Sequence, residues 1–141
     1  MSQEQILSIK NLSKTYPNRV QALKNVNFQV NKGEILVIIG LSGSGKSTLL
    51  RCLNRLHEPT SGEILFNGQD VAHVQGKKVI NLRTQMAMIF QHFNLIPRHT
   101  VFSNVLMGRL GQTSTLKSIF GLFSTKDKQD AMKYLDLVGR Y

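Results

Sequence analysis

Gly40-Leu41-Ser42-Gly43-Ser44-Gly45-Lys46-Ser47-Thr48 lies between an uninterrupted apolar run, Ile35-Leu36-Val37-Ile38-Ile39, and a leucine-bearing stretch that begins at Leu49. It matches the pattern Gly, four residues, Gly-Lys-Ser/Thr. The apolar run before it is rich in branched residues and reads as a strand buried on both faces of a parallel sheet. Ser47 to Leu56 reads as a helix with Leu49, Leu50, Leu53 and Leu56 on one side, stopped before Pro59. Strand, glycine-rich loop and helix are the order that a phosphate cradle requires. Gly40 permits a sharp exit from the strand, Gly43 and Gly45 let the backbone come close to oxygens, and successive N–H groups form an anion-binding nest at a helix N-terminus. Lys46 is then expected to place its charge on the terminal phosphates of a nucleotide, and the Ser47 hydroxyl to take one position around Mg²⁺. The competing reading is a Gly/Ser-rich turn that happens to precede a helix, and the joint match of spacing and context argues against it.

Upstream, Leu7 to Leu12 and Val26 to Val30 alternate apolar and polar residues, as strands of an antiparallel sheet with one wet face do. Downstream, Pro59-Thr60-Ser61-Gly62 turns the chain, and Glu63 to Asn67 reads as another half-wet strand ending at Asn67-Gly68. A helix is expected over Lys77 to Gln85 and a buried strand over Met86 to Phe90. Thr100 is placed to cap a helix through Val101, Val105, Leu106 and Leu110. Ser124 and Asp127 form a capping-box pattern ahead of Ala131, Leu135 and Val138, and Gly111 to Phe123 between these helices reads as a loop.

A phosphate cradle alone serves kinases, GTPases, helicases and transporters alike. The residues around it narrow the choice. Leu12-Ser13-Lys14-Thr15-Tyr16, Ala22-Leu23-Lys24-Asn25-Val26, Gly33-Glu34, the Gly40 to Thr48 loop, Pro59-Thr60-Ser61-Gly62 and Met88-Ile89-Phe90-Gln91 occur in an order that resembles the ATP-binding cassette family along the whole chain. The resemblance implies an α/β P-loop NTPase fold, the ABC nucleotide-binding domain, with an N-terminal antiparallel β-subdomain and the start of a helical subdomain, incomplete as it stands. The first part is expected over about residues 6–100 and the second over about 101–141. ATP and Mg²⁺ are the implied cofactors. Tyr16 carries over as the aromatic that stacks on adenine, although an aromatic at that place can equally be a packed edge-strand residue. Gln91 carries over as the Q-loop glutamine, whose amide oxygen reaches Mg²⁺ or the attacking water, and the loop from His92 to Arg98 as the contact with transmembrane permease subunits. A second ATPase subunit completes a dimer in that family, a substrate-binding protein takes part indirectly, and the implied location is the cytoplasmic face of the cell membrane. Gly108 to Thr115 with Ser118 to Phe123 looks like the ATPase subunit of phosphonate importers. Leu50 to Leu56 and Phe93 to Arg98 fit that group too, but polar amino-acid and methionine importers are similar there.

Hydrolysis in this family needs an apolar strand ending in Asp-Glu, and a later switch histidine. None of the chain's 8 carboxylates closes a buried apolar strand, and the Leu-Ser-Gly-Gly-Gln motif is missing. The chain is therefore expected to be a fragment, a truncated product or half of a split protein that holds nucleotide without turning it over. A noncatalytic nucleotide-binding module and a soluble cassette protein of repair or translation are the rival readings.

The net charge of +10 in 141 residues could attract nucleic acid. Its basic residues are scattered, Lys77-Lys78 being the only adjacent pair, so no direct nucleic-acid partner is expected. His57, His73, His92 and His99 lack a carboxylate or cysteine at ligand spacing and read as solvated loop residues. The single cysteine, Cys52, sits with the helix leucines and reads as a small buried hydrophobe.

Overall fold

The computed structural model describes residues 4–90, 95–112 and 121–139. It divides into one unit ending at Met86 and another starting at Ala87.

The alternating segments of the first unit form strands β1 (Gln5–Thr15), β2 (Gln21–Asn31) and β3 (Ser61–Phe66), with a short β4 (Gln69–Asp70). All pair antiparallel, in the order β2-β1-β3-β4. Ile9 stands opposite Phe28 on one side and Ile64 on the other, so the central strand has its apolar residues in register with both neighbours. Ile9, Leu12 and Ile64 are fully buried. Burying three such side chains contributes roughly 1.5–3 kcal/mol each. The β1–β2 ladder is interrupted by several register shifts, and Asn11 and Asn25 at them have φ of 50° and 47°. Asparagine tolerates that left-handed backbone better than most residues do. At the start of β3, Gly62 comes so close to β1 that an added Cβ would lie 2.5 Å from the Asn11 carbonyl oxygen.

One face of this sheet is covered by helices α1 (Lys46–Leu53) and α2 (Lys77–Gln85), whose Leu49, Cys52, Leu53 and Leu82 join the same apolar cluster. The expected stripe of four leucines is corrected. Leu50 is 46% and Leu56 40% exposed. Leu50 lies about 100° around the helix from Leu49, whereas Leu49, Cys52 and Leu53 share a face at i, i+3, i+4 spacing. The helix closes at Asn54, after which Arg55 turns back with φ of 56°, so Leu56 is no longer on it. Burial pushes the Cys52 thiol up, against smaller opposing effects of Lys14 and Arg55, as expected of a small buried hydrophobe.

Two expected buried strands do not form. Among the described residues Ile35 to Ile39 and Met86 to Phe90 have no ladder partner, and Ile35, Val37, Ile39 and Ile89 are exposed. A strand apolar on both faces is stable only between neighbours in a parallel sheet. Among the described residues every paired strand is antiparallel, and none offers that neighbour.

In the second unit, α3 (Val101–Met107) is capped by Thr100, whose hydroxyl accepts from the Ser103 amide. Leu110 belongs to a separate 3-10 turn, Leu110–Gln112. Helix α4 (Thr125–Leu137) starts with the complete capping box, Ser124 and Asp127 each accepting from the other's backbone. Ser124, and then Arg109 at 2.8 Å, hold the Asp127 carboxyl below the usual range. Ala131 and Leu135 are buried, while Val138 is the C-cap and stays exposed. Most of the expected 111–123 loop lies outside the described residues.

Candidate functional site

The glycine-rich stretch forms a loop that ends on the N-terminus of α1. Gly45 is the N-cap at φ 90°, with no side-chain cap and no acidic residue in the first turn. The first amides of this helix therefore have no acidic side chain of its own first turn and no side-chain cap at their positive end. Ser44 closes a turn through its amide to the Leu41 carbonyl at 3.2 Å, and Gly43 adopts φ 80° beside it. Gly45 rests on β2: a Cβ there would lie 2.4 Å from the Ala22 carbonyl oxygen. A Cβ on Gly40 would lie 2.7 Å from Ser44 Oγ. Beside Gly45 lies a concavity of about 310 Å³ lined by Ala22 and by Ser42, Gly43, Ser44, Gly45, Lys46, Ser47 and Thr48.

The Lys46 ammonium folds over this loop. It donates to the carbonyls of Gly40 at 2.6 Å and Leu41 at 2.7 Å, and lies 3.3 Å from Ser44 Oγ. Ser47 and the Leu41 side chain point into solvent. A lysine charge, free helix amides and no carboxylate in the lining suit a multiply charged anion of phosphate type. Thr48 and Ser47 supply hydroxyls at the rim, the donor type that completes a Mg²⁺ shell around bound phosphates.

Tyr16 begins the β1–β2 connection, where its amide donates to the Val20 carbonyl at 2.9 Å and its carbonyl accepts from Arg19. The turn sends the ring toward α1. Its hydroxyl lies 3.3 Å from Thr48 Oγ1 and 2.8 Å from His57 Nδ1. The two rings meet nearly perpendicular, at 87°, and the Lys14 ammonium lies 5.3 Å from the Tyr16 ring centre while donating to the Glu58 carbonyl. Burial, then Arg51 and Lys14, lower the affinity of His57 for a proton. His57 is thus half-buried and bonded, which corrects its reading as a solvated loop residue, and Ala22 joins the lining of the concavity. Nothing in the sequence relates His57 to a tyrosine 41 positions earlier. Gln91 lies outside the described residues.

Among residues 87–139, Leu95, Ile96, Pro97 and Arg98 line an apolar hollow of about 390 Å³ with Val101 and Asn104. Asn104 holds this segment through its side-chain oxygen, which accepts from the Ile96 amide at 2.8 Å. Among the described residues no helix is long and apolar enough to cross a membrane.

The spacing Gly40, four residues, Gly45-Lys46-Ser47, with the loop running onto the N-terminus of α1, marks the P-loop nucleotide-binding class. The ABC transporter family profile matches residues 23–140, and the chain belongs to that family. It is 62% identical over 137 residues to the phosphonates import ATP-binding protein PhnC of Bdellovibrio bacteriovorus, covering 96% of this chain and 52% of that protein. It is 51% identical over 132 residues to the PhnC protein of Staphylococcus aureus, covering 94% of this chain and 51% of that one. The chain spans about half the length of these curated relatives. Among solved structures, the dimeric bacterial ABC transporter cassette MJ0796 superposes with a TM-score of 0.78 at 32% identity, over 93% of this chain and 56% of the other. The post-hydrolysis state of MJ0796 bound to ADP and Pi gives 0.76 over the same shares. Family membership carries nucleotide binding with it.

Proposed function

We propose that this chain is the ATP-holding part of the energy-coupling subunit of a phosphonate importer, with Gly40 to Thr48 cradling the phosphates, Ser47 and Gln91 facing Mg²⁺ and Tyr16 stacking on the base. The observation that carries the nucleotide reading is the arrangement of Lys46 and the uncapped α1 amides around one concavity, with the Tyr16 hydroxyl anchored at Thr48 on the same helix. Base stacking on an aromatic ring is worth roughly 1–3 kcal/mol. Tyr16→Ala should therefore weaken ATP binding about 5- to 150-fold while leaving tripolyphosphate, which has no base, nearly unaffected. Calorimetric titration with both ligands checks this, and equal losses would make Tyr16 structural.

Supporting the importer reading are the two PhnC relatives and the apolar hollow at Leu95 to Arg98, which suits a helix presented by permease subunits at the cytoplasmic face of the membrane. A second ATPase subunit is the remaining partner. A hybrid joining this chain to the C-terminal half of the Bdellovibrio relative should restore growth on a phosphonate as sole phosphorus source in a strain lacking its own phosphonate-import ATPase. A hybrid that accumulates, fails there and restores methionine uptake instead in a strain lacking that importer's ATPase would shift the substrate assignment.

A further inference from the structure

The geometry points to His57 as a positioning residue that fixes the Tyr16 ring for stacking on a purine base; this rests on the nucleotide reading and adds to it a residue with no part in phosphate binding. A tyrosine on a turn between two strands has two free side-chain torsions, and ordering it only when a base arrives would cost affinity. Here the ring is ordered beforehand from two elements. Its hydroxyl sits between Thr48 Oγ1, in the first turn of α1, and His57 Nδ1, in the segment that follows α1. A phenolic hydroxyl gives one hydrogen and accepts others. With the imidazole hydrogen on Nε2, Nδ1 accepts from Tyr16, and the phenol oxygen is left to accept from Thr48.

The two anchors pin the hydroxyl end of the ring, and the perpendicular imidazole, 5.6 Å between centres, limits rotation about the ring axis. His57 is itself held in a restricted place. It follows the closed end of α1, its amide donating to the Arg51 carbonyl at 3.1 Å, and Pro59 two residues on is buried. The Lys14 ammonium, tied to the Glu58 carbonyl at 2.6 Å, occupies one side of the ring and directs a stacked base to the other. His57 is not among the residues that line the concavity beside Lys46. Its effect should therefore be confined to ligands that carry a base.

The full chain is titrated by calorimetry with ATP and, separately, with inorganic tripolyphosphate. His57→Ala should weaken ATP binding about fivefold, the effect of one lost neutral hydrogen bond, and leave tripolyphosphate binding unchanged. His57→Asn, whose amide reaches the place of Nδ1, should recover most of the loss. Tyr16→Phe, which keeps the ring but removes the hydroxyl and with it both anchors, should weaken ATP at least as much, and adding His57→Ala to it should cost little more, since the bond to His57 is then already gone. Equal losses for the two ligands, no loss for ATP, or additive losses in the double variant would overturn the assignment. A wild-type chain that binds ATP no better than tripolyphosphate, or binds neither, would overturn the nucleotide reading and this inference together. Intact base-dependent binding with a silent His57→Ala would remove only the latter.

Discussion

Lys46→Ala is expected to lower the affinity of the chain for ATP by about 100-fold or more. Hydrogen bonds to a charged group contribute roughly 1.5–3 kcal/mol each, and an ammonium over the terminal phosphates makes at least two of them. The backbone nest would remain and the helix amides would still face the ligand, so some attraction survives. The variant also loses the ties from Nζ to the Gly40 and Leu41 carbonyls, which close the loop. Lys46→Met loses both the charge and these ties while keeping most of the side chain's bulk, so comparison with Lys46→Ala separates them from the loss of packing. Calorimetry should find both variants similarly weak for ATP and for tripolyphosphate, since the contact is with phosphate and not with base. Wild-type affinity in Lys46→Ala would sink the phosphate-cradle assignment.

The second large effect is expected at Gly45. Its φ of 90° is strained for any residue with a Cβ, and that Cβ would stand 2.4 Å from the Ala22 carbonyl oxygen and 3.2 Å from Leu23 Cδ2. The overlap with backbone cannot be relieved by turning a side chain. Gly45→Ala must push the loop off β2 or bend the strand, and a loss of about 2–4 kcal/mol of stability together with nucleotide affinity is expected. Gly43→Ala supplies the comparison, because φ there is 80° with nothing within 4 Å of the added atom. Only the backbone strain remains, roughly 1–2 kcal/mol. Urea unfolding of the two variants measures the difference. Equal midpoints would show that the seat on Ala22 carries no weight.

The antiparallel sheet was legible because its strands alternate, and alternation depends only on neighbours along the chain. Ile9, facing Phe28 and Ile64, sits where the pattern put it. The capping residues Thr100, Ser124 and Asp127 were legible for the same reason, since a cap acts within one turn. The loop from Gly40 to Thr48 could be read from its spacing. Ile35 to Ile39 could not, because a run apolar on both faces says that a strand wants partners on either side and does not supply them. Leu50 was misplaced by counting leucines instead of helix angle, with Cys52 taking the buried position. The bond from Tyr16 to His57 was illegible in principle, since it depends on how a strand turn and a helix end meet after the sheet has formed.

The bare ribbon from Ile35 to Ile39 gives the chain a colloidal character. Ile35 and Ile39 are each 90% exposed, and no charge interrupts the stretch up to Leu41. Such a ribbon can pair with its own copy on another molecule. Against that, the charge of +10 pushes molecules apart while they are still at a distance. The two act over different ranges. Dissolved ions shorten the reach of the repulsion to about 8 Å at physiological strength, but leave the contact attraction in place. The same chain is therefore kept dispersed by dilute buffer and drawn into clusters by concentrated salt, and multivalent phosphates in the medium act on it as flocculants as well as ligands.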